Sequence, residues 1–262
     1  MSRTRNTDRR DFDMARRLTA ELVGTALLVT VVVGSGIAAQ RLSPGDVGLQ
    51  LLENSTATFL RLTVLILMFG PVSGAHFNPV VSAADWVLGR RVGTGLTGKH
   101  VLTYSVAQTV GAIAGAELAN LMYKVPIDQL STTERSGANL LLGEMVATAG
   151  LVALIFALAR TGRGILAAPA VGAYIGAAYW FTSSTSFANP AVTVGRVFSN
   201  TFAGIAPGSV PGFIGAQIVG AVVAVGLVLW LYPHIGESAD DVVIPYEHHP
   251  SQEPETTPRS TR

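Results

Sequence analysis

Two Asn-Pro pairs, Asn78-Pro79 and Asn189-Pro190, carry the most legible chemistry of this chain. Pro suits the first position of a helix, where its missing N–H would lack a partner anyway. Asn just before it is a favoured N-cap. Each pair therefore opens a helix and brings an amide NH₂ to the helix start, where the dipole adds about half a positive charge. Two such ends placed together make a donor-rich, positive point without a full charge. That point hydrogen-bonds neutral polar solutes and repels cations and hydrated protons. One Asn-Pro pair alone is usually a loop turn, so the second pair must be explained.

The second pair belongs to a repeat. Glu21-Leu-Val-Gly-Thr25 matches Glu144-Met-Val-Ala-Thr148, and Phe77-Asn-Pro-Val80 matches Ala188-Asn-Pro-Ala191. Ala107-Gln-Thr-Val-Gly-Ala112 matches Ala216-Gln-Ile-Val-Gly-Ala221. The two Asn are 111 residues apart, and Gln108 and Gln217 are 109 apart. Three marks in one order fix two half-repeats, 18–123 and 138–232, joined by a 124–137 connection.

The elements that position these marks follow from where charge is absent. The chain of 262 residues is 49% hydrophobic and 13% charged, against about 25% charged in ordinary soluble domains. The first 17 residues carry nine charges and the last 30 carry eight, leaving 18 for the 215 residues between. That middle cannot coat a soluble globule, so a soluble domain, a disordered chain and a nucleic-acid binder are poor readings. The net charge of +1 points to no polyanion. The absence of cysteine excludes disulfides, thiolate metal sites and a cysteine nucleophile. No cleavable signal peptide is evident, because the first apolar run is long and lacks a clean small-residue cleavage site.

Apolar runs long enough to span a bilayer fall at 18–39, 51–71, 100–123, 138–159, 164–182 and 212–232. Two stretches, 76–88 and 187–198, are too short to span, and the Asn-Pro pairs lie in them. Each half thus reads span, span, half-helix, span. Three spans is an odd number, so the second half enters from the opposite side and the repeat is inverted. The prediction is an all-α membrane protein of six spans and two re-entrant half-helices whose N-termini meet at mid-membrane. Basic residues set the sides. Arg3, Arg5, Arg9, Arg10, Arg16 and Arg17 of the 1–17 tail share a side with Arg90, Arg91, Lys99, Arg160 and Arg163; the other side receives Arg41, Lys124 and Arg135. Both tails are therefore expected in the cytoplasm, and the acidic 233–262 tail is expected to be disordered.

With these marks in place the sequence resembles the aquaporin, or major intrinsic protein, family over about 18–232. The resemblance rests on Ser73-Gly-Ala-His-Phe-Asn-Pro-Val80, Phe187-Ala-Asn-Pro-Ala191 and the paired Glu and Gln. It implies a right-handed bundle, one pore per subunit, a homotetramer in a bacterial-type inner membrane, small neutral solutes as partners and no cofactor. By resemblance, the pore centre is Asn78, Pro79, Val80, Asn189, Pro190 and Ala191. His76 is a vestibule residue, or else a satisfied structural histidine. Glu21 and Glu144 are buried acceptors for the re-entrant loops, the rival being a proton relay.

The chain departs from its relatives at the outer filter. Family members mostly place Arg three residues after the second Asn; here that residue is Val192, and the nearest arginine is Arg196. Counting from the Asn landmarks puts the other filter positions at Thr58, Ala177 and Ser186. The expected filter is wide, weakly polar and uncharged, similar to that of aquaporins found with bacterial arsenic-resistance genes. The implied solutes are arsenous acid and related metalloid hydroxides, with glycerol and water; the alternative is a water and glycerol facilitator without a metalloid role. Arg61, within the second span, reads either as a pore-mouth residue or as a structural or interface cation. A secondary transporter also uses inverted repeats and broken helices, but no set of intramembrane ion ligands is present. No metal or catalytic constellation such as HExxH or Gly-x-Ser-x-Gly occurs, so an enzyme is not expected.

Overall fold

The computed structural model describes residues 2–90, 93–127 and 129–232, with side chains from Asp13 onward. Arg91, the 233–262 tail and the side chains of Arg3, Arg5, Arg9 and Arg10 lie outside the described residues, so the expectations placed on them are not addressed.

Among the described residues eight α-helices follow one another: α1 Ser2–Leu42, α2 Val47–Ser73, α3 Pro79–Gly89, α4 Gly98–Met122, α5 Ala138–Arg160, α6 Ala167–Phe181, α7 Pro190–Gly195 and α8 Val210–Leu231. Among the described residues, α1 from Asp13, α2, α5, α6 with its Gly164–Leu166 lead-in and α8 with its Pro207–Ser209 lead-in are long and apolar enough to cross a membrane. The sixth span, α4, has the length at 25 residues but is more polar. It solves the polarity by direction: Gln108 and Asn120 are fully buried and bond inward.

Two boundaries differ from expectation. Helix α1 begins at Ser2, not Leu18, so the basic stretch extends the same helix; no Pro or Gly interrupts residues 2–23. The second half-helix is short. Helix α7 has six residues, and the 3₁₀ turn Arg196–Phe198 follows it. Gly195 lies against the Ala112 backbone with no room for a Cβ, and there the chain turns away.

Small residues set how closely the spans pack. Gly111 of α4 rests on the Leu22 carbonyl of α1, and its repeat mate Gly220 of α8 rests on the Met145 carbonyl of α5. The half-helices bridge the halves, α7 packing on α4 and α3 on both α4 and α8. The end of the bundle where Arg17 of α1 meets Tyr104 is here called the tail side, and the end where the 124–137 segment meets Val197 and Ala206 the connection side.

Candidate functional site

The site is built where the two loops preceding α3 and α7 meet. Both loops hold residues in the left-handed region that side chains normally avoid: Ala75 (φ 48°) and Phe77 (φ 49°) in the first, Ser186 and Ala188 (φ 49° each) in the second. Each such residue costs about 1–2 kcal/mol, so the surroundings must enforce it. The buried carboxylates do this. Glu21 accepts backbone N–H bonds from His76 (3.0 Å) and Phe77 (2.7 Å), Glu144 from Phe187 and Ala188 (2.8 Å each). The paired glutamines hold the carboxylates in turn. Gln108 Nε2 donates to Glu21 (2.7 Å) and Ser82 Oγ, and Gln217 Nε2 to Glu144 (2.6 Å) and Thr193 Oγ1. A buried carboxylate is tolerable only with such partners.

Both Asn residues cap their helices as their type predicts. Asn78 Oδ1 accepts from Val80 N–H (3.1 Å); Asn189 Oδ1 accepts from Ala191 (3.0 Å) and Val192 (3.2 Å). Their amides then cross between the loops. Asn78 Nδ2 donates to Ala188 O (2.8 Å), and Asn189 Nδ2 to Phe77 O (2.7 Å). One hydrogen of each NH₂ locks the loops together, and the other is left for the cavity that both Asn line. Pro79 and Pro190 occupy the first helical turns. Val80 and Ala191 are buried behind the Asn pair, away from the lining.

A narrow cavity of about 60 Å³ runs past the Asn pair, room for a few waters. Its walls are aliphatic and repeat-related: Leu28 and Val32 of α1 answer Leu151 and Ile155 of α5, while Leu62 and Ile66 of α2 answer Val171 and Ile175 of α6. Polar groups interrupt this at the ends. His76 lines the tail-side end, its Nδ1 3.1 Å from Ser82 Oγ and its ring edge-on to Tyr104. Thr58, Tyr179, Ser186, Val192 and Arg196 line the connection-side end.

Two expectations for that end are corrected. Ala177 does not line the cavity; it lies exposed on the outer face of α6. Two residues along a helix turn the side chain about 200°, so Tyr179 and Ile175 face inward instead. Tyr179 Oη lies 3.3 Å from Thr58 Oγ1. That end is also not free of charge. Arg196 is 3% exposed, and its guanidinium sits over the Phe187 ring at 3.4 Å. Its Nε donates to the Ala203 carbonyl. Counting three residues past Asn189 finds Val192 but misses the next turn of chain.

Arg61 is half-buried on α2 and does not line the cavity; its Nε has no hydrogen-bond partner among the described residues. Ser186 lines the cavity, and its Oγ is buried with no hydrogen-bond partner among the described residues. No cluster of three or more metal-ligating acids or imidazoles occurs among the described residues.

Comparison with known proteins places this geometry in context. The family described as Major intrinsic protein matches residues 8–187. The chain is 50% identical over 222 residues to aquaglyceroporin AqpS of Rhizobium meliloti (strain 1021), covering 84% of this chain and 92% of that one. It is 30% identical over 217 residues to the glycerol uptake facilitator protein of Pseudomonas aeruginosa, covering 72% and 75%. Among solved structures, the aquaglyceroporin from Plasmodium falciparum shares the fold with a TM-score of 0.56 at 20% identity, covering 85% of this chain and 96% of that one.

Proposed function

The chain belongs to the major intrinsic protein family, whose members are membrane channels and not enzymes, and from that premise we propose that it is a passive pore passing arsenous acid and related metalloid hydroxides, glycerol and water. One observation carries the choice of solute. The connection-side constriction sets the paired hydroxyls of Thr58 and Tyr179, together with Ser186, beside aliphatic Val192. A small neutral molecule with several hydroxyl groups satisfies such donors and acceptors on one side and lies against the methyls on the other. The identity to a protein named an aquaglyceroporin supports a solute larger than water.

The Asn pair and the α3 dipole favour neutral solutes at the centre. The short α7 contributes less dipole than an equal partner would. Glu21 and Glu144 read as scaffold, since their oxygens are engaged by loop N–H groups and glutamine amides. We place the tail side in the cytoplasm, from the basic residues found there, and assign the channel to a bacterial-type inner membrane as a homotetramer. The bland, apolar outer faces of α2 and α6, including Leu60, Val64, Leu67 and Phe181, suit lipid or a second subunit.

Stopped-flow light scattering on proteoliposomes, comparing water, glycerol, urea and arsenous acid, tests the reading. Flux should rise linearly with gradient; saturation with ion coupling would mean a transporter. Val192→Arg adds bulk and charge at the constriction and should cut glycerol and arsenous acid flux about tenfold, about 1.4 kcal/mol of added barrier. Unchanged flux would remove Val192 from the constriction.

A further inference from the structure

We propose that Arg196 supplies the fixed positive charge of the connection-side constriction from the turn of chain beyond Val192, and that Arg135 positions it. The proposal rests on the channel reading above and deepens it. Val192 leaves the expected position aliphatic, yet a guanidinium lines the same end of the cavity as Thr58 and Ser186. It is held rather than free. The Nε of Arg196 donates to the Ala203 carbonyl and its plane rests on Phe187. That leaves the terminal N–H groups for the cavity, where a solute hydroxyl or water can accept them.

Arg135 comes from the 124–137 connection, far from Arg196 in sequence, and fixes the same loop. Its Nε donates to Gly204 O at 2.8 Å and its Nη2 to Phe202 O at 3.1 Å, the carbonyls flanking Ala203. Its guanidinium also lies 5.1 Å from the Phe187 ring centre. A further bond, from Arg135 N–H to Ser209 Oγ at 3.0 Å, pins its backbone. Two cations thus share one ring and one three-residue loop, and their guanidinium hydrogen bonds among the described residues all go to carbonyls. The nearby loop carboxylate, Glu144, is taken up by Phe187 N–H, Ala188 N–H and Gln217. Its negative charge acts on both guanidiniums, and two cations against one anion leave this end net positive, which adds to the central barrier against sodium and protons.

The test uses the full chain in proteoliposomes, with proton and sodium leak read under an imposed potential and glycerol flux read in the same vesicles. Arg196→Leu should raise ion leak at least about tenfold, as expected for one charge lost from a low-dielectric passage, with glycerol flux kept or raised. Arg196→Lys should stay within about twofold of wild type, because the charge is retained. Arg196→Leu combined with Val192→Arg should restore exclusion. Arg135→Ala should raise the leak less than Arg196→Leu does, and an effect on yield alone would make Arg135 merely structural. Where Arg196→Leu does not assemble, Arg196→Gln decides, since it can still donate to Ala203 O without charge. A well-folded Leu or Gln variant no leakier than wild type overturns the proposal. A wild type that passes neither water nor glycerol above empty vesicles overturns the channel reading instead.

Discussion

Seven residues after each Asn the two halves carry opposite charges, Asp85 and Arg196, and both are 3% exposed. They share one task. Asp85 Oδ2 accepts the Leu96 N–H at 2.7 Å, and Arg196 donates to the Ala203 carbonyl, so each pins the loop that follows its half-helix. They differ in one respect that matters: Arg196 lines the cavity and Asp85 does not. The same split appears two residues before each Asn. His76 meets Tyr104 edge-on at 5.6 Å, while Phe187 meets Phe213 at 5.1 Å. One mouth carries an imidazole bonded to Ser82; the other carries a ring under two guanidiniums. On the long helices, α6 offers Tyr179 where the matching register of α2 has Gly70. Near the Asn pair, by contrast, the Glu–Gln and loop N–H bonds recur in both halves and the walls are aliphatic in both. The two halves match at the centre and diverge at the mouths, where the proposed function places the choice of solute.

The strongest way to break this comparison is to remove the shared centre. Glu21→Ala and Glu144→Ala each strand at least two buried backbone N–H groups and a glutamine amide. Each should lower stability by more than about 3 kcal/mol, seen as loss of monodisperse protein on size exclusion, and the two should fail alike. If one variant folded and conducted normally, the two halves would not share a scaffold.

A smaller effect concerns how each half fills the space under its loop. Gly24 faces the Phe77 ring with no room for a Cβ, whereas the second half has Ala147 and Ala188 at the matching positions. Gly24→Ala should therefore cost about 1–3 kcal/mol by overpacking. Adding Phe77→Ala recreates the second half's pair, and the double variant should cost at least about 1 kcal/mol less than the sum of the singles. Denaturant titration of the three variants measures this; strict additivity would show that the two positions do not compete for one space.

The shared centre was legible in the sequence because its signals are local. Asn-Pro states a capped helix start at its own position, and the Glu and Gln marks recur at fixed offsets. The mouths were harder for physical reasons. Counting back from Asn189 to Ala177 treats the chain as a ruler, but which face of α6 turns inward depends on helical phase. The offset of 109 that pairs Leu62 with Val171 and Ile66 with Ile175 carries that phase, and one more turn gives Tyr179. Arg196 had a signal too, as the repeat mate of buried Asp85. The Arg135 contacts with 202–204 had none, since they join two loops whose meeting only the folded bundle decides. Membership of α4 among the spans was legible by length, although its polar residues hide the apolar signal until they turn inward.

The smallest effect sharpens the comparison at one hydroxyl. Tyr179 and Thr58 form a neutral, rather long pair at 3.3 Å at the connection-side end. Tyr179→Phe keeps the ring and the width of the passage and deletes only the phenolic O–H. Such a bond is worth about 1 kcal/mol or less net, so glycerol and arsenous acid flux should change by no more than about threefold to fivefold. Water, which needs fewer hydroxyl contacts per molecule, should change less. A passive pore has one permeability in both directions, so the change should be seen equally in influx and efflux. That symmetry distinguishes a passive constriction from a gate at one mouth, and stopped-flow measurements in both directions decide it.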